Sequence, residues 1–157
     1  MIRTGDTAHR FTLPVRPGEQ IDVGESIGQG KVVLLFFPLA FSPVCTEEFC
    51  AIRDDWAAYE SLGASVFGIS IDSPFVNAKF ADENALPFPL LSDFNRDVAR
   101  AYGVLHEDLF GMKDVAKRSV FVIDETGAVV YDSVSEDPKI QVDFEAIRNA
   151  LGSPVQG

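Results

Sequence analysis

Residues 32–37, Val-Val-Leu-Leu-Phe-Phe, form an unbroken apolar run. A strand with one wet face alternates polar and apolar positions, whereas a strand covered on both faces has no polar side to show. The run therefore predicts a central strand held between two layers, which points to an α/β sheet. It extends to Phe41 with a proline inside it and falls well short of the roughly 18 residues that a membrane span needs.

The segments around it fit the same architecture. Ser42-Pro43 predicts a helix start, with Ser as N-cap and Pro at the first helical position. Cys45, Phe49, Ile52, Trp56 and Tyr59 then recur at helical spacing until Ser61-Leu62-Gly63 ends the helix; Trp56 and Tyr59 on this stripe read as core. Residues 65–71 read as a second buried strand, 74–84 as a helix, and 87–93 as a short strand in a proline-bounded loop. Residues 97–102 give a short helix stopped by Gly103. Residues 118–123 and 128–134 are two strands joined by the turn Asp124-Glu-Thr-Gly127. Residues 140–151 predict a last helix with Ile140, Phe144, Ile147 and Leu151 on one side, and 21–23 fit a short N-terminal hairpin. Nothing in the 157 residues resembles a repeat or linker. A single domain over 1–157 is expected, its central mixed sheet flanked by helices on both faces.

Charge narrows the function. Thirteen basic against twenty-four acidic side chains give a net charge of −11. Such a surface repels phosphate backbones and anionic membranes, so neither nucleic acid nor membrane is an expected partner. The start of the chain lacks the apolar stretch of a secretory signal, so a cytoplasmic location is expected. Cys45 and Cys50 are too few for a four-thiolate zinc site, and His9 and His106, read as loop residues, show no ligand spacing, so no metal is expected. Gly28-Gln-Gly30 reads as a turn, since the phosphate-loop pattern is absent. Two cysteines five positions apart leave redox chemistry or two buried structural thiols.

Cys45 is delivered by a proline-containing loop into the first turn of a helix, where free N–H groups and the helix dipole favour a thiolate. Glu47 and Glu48 in the same turn oppose this. A cation is needed, and Arg118, just before the apolar Val120-Phe-Val-Ile123 run, is the candidate. A plain surface role for a strand-end arginine is the alternative.

The stretch Pro38-x-x-x-Ser42-x-x-Cys45 resembles the peroxiredoxin signature Pro-x-x-x-Thr/Ser-x-x-Cys. Phe36-Phe-Pro-Leu-Ala-Phe-Ser-Pro-Val-Cys45 is most similar to the alkyl hydroperoxide reductase E branch. Glu48, Phe88-Pro-Leu-Leu-Ser-Asp93, Ala101-Tyr-Gly-Val104 and Arg118-Ser-Val-Phe-Val-Ile-Asp124 match in order, from Gly5 to about Leu151. The resemblance implies a thioredoxin-like fold and a thiol-dependent peroxidase without metal or flavin cofactor. Cys45 would attack a hydroperoxide and become a sulfenic acid. Ser42, Arg118 and the N–H groups of Val44 and Cys45 would stabilise the leaving oxygen. Pro38 would shield the sulfur, and Glu48 would orient Arg118. Thioredoxin or a low-molecular-weight thiol would serve as reductant, and the assembly stays open between a homodimer, as in the E branch, and the monomer common among Q-type members.

Cys50 lies where the bacterioferritin-comigratory (Q-type) members carry a resolving cysteine. On a helix, five positions mean a rise of about 7.5 Å and a rotation of roughly 140°. That exceeds the roughly 7 Å Cα separation a disulfide tolerates, so the helix must unwind first. The alternatives are a one-cysteine enzyme with Cys50 packed as a small hydrophobe, or a peroxide sensor that relays oxidation to a partner. A disulfide oxidoreductase would need Cys-x-x-Cys.

Overall fold

The computed structural model describes residues 1–152; residues 153–157 of the expected domain lie outside them. The chain runs β1 (Thr12–Arg16), β2 (Glu19–Asp22), β3 (Lys31–Phe36), α1 (Pro43–Asp54), α2 (Trp56–Ser61), β4 (Ala64–Ser70), α3 (Pro74–Glu83), β5 (Leu90–Ser92), α4 (Asp97–Tyr102), β6 (Ser119–Ile123), β7 (Val129–Val134) and α5 (Phe144–Leu151). β1 and β2 form the N-terminal hairpin. The other strands form one sheet in the order β5-β4-β3-β6-β7. β3 is parallel to β4 and antiparallel to β6, which makes the sheet mixed.

β3 shows why its sequence has no polar side. Val32, Leu34 and Phe36 enter one core, with Tyr102 of α4 and Phe121 of β6. Val33, Leu35 and Phe37 enter the other, with Phe49 and Ile52 of α1, Phe80 of α3 and Ile147 of α5. Successive side chains point to opposite faces, and helices cover both. Truncating one such aliphatic side chain to Ala costs about 2–5 kcal/mol. The expected α/β architecture is therefore present, and it is a thioredoxin-like fold.

Two helices depart from their expected spans. The single helix expected from Ser42 to Leu62 breaks at Asp55, whose φ of −109° and ψ of 22° leave the helical region. Tyr59 is buried and Trp56 half-buried all the same. The last helix begins at Phe144, where Asp143 caps the amide of Ala146 at 3.0 Å. Ile140, expected on its apolar side, is 58% exposed. An N-cap of this kind fixes a helix start more firmly than an apolar spacing does.

Gly68 in β4 sets how closely α1 packs on the sheet. A Cβ there would collide with Leu90 and stand 3.3 Å from the Phe49 ring. At the end of α4, Gly103 takes a φ of 73°, the left-handed conformation that stops a helix.

Candidate active site

β3 points at the site. Phe36 pairs with Ser119 in antiparallel register, so the residue before Ser119 arrives beside the end of β3. That residue is Arg118. Beyond β3 come buried Phe37 and Pro38, then a tight loop. The loop is pinned where the amide of Ala40 donates to Asp72 Oδ2 at 2.8 Å. Phe41 takes a φ of 68°, a strained conformation for a bulky side chain, and its ring meets Phe80 edge-on at 5.1 Å.

Ser42 then occupies the N-cap position with extended backbone, and Pro43 the first helical position. The hydroxyl does not cap the helix, contrary to expectation. It turns back and donates to the Leu39 carbonyl at 2.8 Å, because the tight loop brings that acceptor within reach. The N–H groups of the first turn are thus left without a side-chain acceptor from Ser42.

Cys45 is fully buried in this turn. The Arg118 Nη2 donates to its sulfur at 3.2 Å. Nη1 donates to Glu48 Oε1 at 2.5 Å, and Nη2 and Nε donate to the Pro138 carbonyl at 3.1 and 3.3 Å. Arg118 is 2% exposed, so the surface alternative for it is excluded. Glu48, one turn after Cys45, is fully buried, whereas Glu47 is exposed. The second Glu48 oxygen has no hydrogen-bond partner among the described residues.

The electrostatics are a contest. Burial pushes the Cys45 thiol up from its ordinary value; Arg118 and Ser42 pull it down, and Glu48 pushes it up again. Burial wins, so the lowered thiol expected from the helix start and the arginine is corrected to a raised one. Burial likewise pushes Glu48 up to about 7 against the pull of Arg118. Burial also opposes the Arg118 charge, but Glu48 and Cys45 overcome it and keep the guanidinium charged. One cation faces two acids, so Cys45 and Glu48 give up their protons as a coupled pair.

Beside the cluster lies a cavity of about 260 Å³, lined by Pro38, Val44, Leu109, Phe110, Met112 and Arg118 among others. A larger groove of about 580 Å³, flanked by Phe11, Phe75 and Phe94, holds neither cysteine. Cys50 is half-buried, and both cysteines are free. They share the unbroken helix α1, so the separation expected for them stands.

Sequence spacing missed three participants. The Pro138 carbonyl fixes Arg118, Gln141 Nε2 donates to the Val44 carbonyl at 3.1 Å, and the Cys50 thiol donates to Asn84 Oδ1 at 3.6 Å. No local motif marks them, since each is brought in from a distant segment. His9 and His106 lie in loops as expected, but His106 is buried.

A buried cysteine sulfur gripped by a guanidinium, on a thioredoxin-like sheet and beside an apolar cavity, suits a thiol-based redox enzyme. Residues 4–132 match the AhpC/TSA family, and the chain belongs to that family. Peroxiredoxin Bcp of Escherichia coli is 35% identical over 152 residues, 96% of each chain. Peroxidoxin BcpB of Mycobacterium tuberculosis superposes with a TM-score of 0.84 at 35% identity, over 96% of this chain and 97% of that one. The bacterioferritin comigratory protein of Xanthomonas campestris, described for its alkyl peroxide reduction activity, superposes with a TM-score of 0.77 at 26% identity, over 90% and 89% of the two chains. The chain is thus a peroxiredoxin of the Bcp type, a thiol-dependent peroxidase that takes a peroxide and a thiol reductant.

Proposed function

We propose that Cys45 is the peroxidatic residue and Cys50 the resolving one. The Cys45 thiol first gives up its proton, with Arg118 balancing the charge, and the thiolate attacks the terminal oxygen of a hydroperoxide as the O–O bond breaks. The other oxygen leaves as water or alcohol, carrying the equivalent of that proton, and Cys45 is left as a sulfenic acid. Arg118, Ser42 and the first-turn N–H groups of Val44 and Cys45 stabilise charge on the leaving oxygen. Glu48 positions Arg118, and Pro38 keeps water from the sulfur. The Cys50 thiol then attacks the sulfenic sulfur, an S–S bond forms, and water departs with the Cys50 proton. Thioredoxin or a low-molecular-weight thiol reduces the disulfide.

The observation that carries this reading is the 3.2 Å contact of Arg118 with the Cys45 sulfur. Hydrogen peroxide and small organic hydroperoxides are the substrates, and the apolar lining of the adjacent cavity supports the organic ones. The alkyl peroxide reduction activity of the Xanthomonas relative points the same way. The reading keeps the expected single domain and cytoplasmic location. Among the described residues, no helix is long and apolar enough to cross a membrane. A homodimer is supported by exposed Phe41 and Phe110 near the site, at 50% and 76% exposure.

Intact mass after one equivalent of peroxide tests the resolving step. Loss of two hydrogens, mapped to a 45–50 disulfide, is expected. A lasting gain of one oxygen, with Cys50→Ser turning over at the wild-type rate, would establish the one-cysteine mechanism instead.

A further inference from the structure

Asn84 is the C-cap residue of α3, outside the cluster around Cys45. Its Nδ2 donates to the Phe80 carbonyl at 2.9 Å, which fixes the orientation of the side-chain amide. The remaining oxygen, Oδ1, accepts the Cys50 thiol at 3.6 Å. One turn further along α1, Arg53 Nη1 donates to the Asn84 backbone carbonyl at 2.7 Å. Residues three apart share a helix face, so Cys50 and Arg53 dock together on this one residue.

From this arrangement we propose that Asn84 is a positioning residue that restrains Cys50 and thereby sets the rate of disulfide formation. The inference rests on Cys50 being the resolving thiol. Attack on the sulfenic sulfur consumes the Cys50 S–H proton, which departs in water, so the bond to Asn84 Oδ1 must break before the S–S bond forms. The Arg53 contact uses backbone, survives any side-chain change at position 84, and keeps α1 docked on α3 meanwhile. Asn84 thus slows resolution while leaving the first oxidation of Cys45 untouched.

The test is rapid mixing of the reduced enzyme with hydrogen peroxide, followed by the fluorescence of Trp56, the only tryptophan. The phase that depends on peroxide concentration reports Cys45 oxidation, and the later, concentration-independent phase reports the disulfide. In Asn84→Ala the acceptor is gone, and the second phase is expected to quicken by about threefold or more, in line with one modest hydrogen bond. The first phase stays at the wild-type rate. Asn84→Asp also loses the Phe80 contact but keeps an oxygen for the thiol, and its second phase is expected to be no faster than wild type. A purely structural cap predicts that both variants change alike, so Asp matching Ala overturns the proposal, as does an unchanged second phase in Ala. Cys50→Ser run in parallel separates the two levels. If it keeps the second phase and no 45–50 disulfide forms in wild type, the resolving role falls first and the proposal with it; a disulfide in wild type with an unaltered rate in Asn84→Ala removes the proposal alone.

Discussion

The Arg118 Nη2 stands 3.2 Å from the Cys45 sulfur although 73 positions of sequence separate them. The antiparallel register of β3 with β6 closes that distance, since it sets Ser119 opposite Phe36, just upstream of the cysteine loop. The same guanidinium reaches Glu48 and the Pro138 carbonyl, so α1 and the segment before α5 meet on one side chain of a third segment.

Arg118→Lys keeps a charge but cannot grip a sulfur, a carboxylate and a carbonyl in one plane. The second-order rate of Cys45 with hydrogen peroxide is expected to fall by about 10²–10³, the usual effect of losing one fixed donor. Stopped-flow measurement of the first oxidation decides it. A rate within a factor of about three of wild type would remove Arg118 from the chemistry.

Glu48→Gln should act on pH dependence in two ways. The Glu48 charge pushes the Cys45 thiol up, so its removal should move the thiol's titration midpoint down, as read by thiolate absorbance. Folding adds a second effect. Burial raises the Glu48 pKa from 4.5 to about 7, so the folded state holds a proton that the unfolded chain releases between those values. The stability this group contributes is full below the lower value and is lost as pH rises through the upper one. Urea midpoints taken at the two ends of that window should therefore show Glu48→Gln gaining on wild type as pH rises. A constant offset between the two proteins would contradict this.

Gln141→Ala removes the donor that holds the Val44 carbonyl at 3.1 Å, in the first turn of α1. One such bond contributes about 1 kcal/mol, so opening of that turn should become roughly fivefold more frequent. Hydrogen exchange of the amides in the first two turns of α1 checks it. Unchanged protection there would show that Gln141 does not hold the helix start.

Gly68→Ala tests the packing of α1. The new methyl would press on Leu90 and Phe49, and overpacking of this kind costs about 1–3 kcal/mol. A denaturation midpoint equal to that of wild type would mean the helix can lift from the sheet without loss.

Some of this was written in local sequence and some was not. Periodicity carried the stripe from Cys45 to Tyr59, but a repeat of apolar positions is insensitive to a one-residue break, so the interruption at Asp55 was invisible. Ile140 fits the α5 spacing yet lies upstream of the cap at Asp143 and is exposed. Ser42 was legible as the N-cap position, but not the turn of its hydroxyl to Leu39.

Local patterns were enough for a strand buried on both faces, for the proline-led helix start that carries Cys45, and for the resemblance that singled out Pro38, Ser42, Glu48, Cys50 and Arg118. Tertiary structure alone decided that Arg118 is buried against the sulfur, that Glu47 faces solvent while Glu48 does not, and that Pro138, Gln141 and Asn84 hold the pieces in place. It also decided the sign of the Cys45 shift. The physical reason is range: helix and strand signals are set by neighbours a few positions apart, whereas desolvation and ion pairing depend on what the folded chain packs around a group.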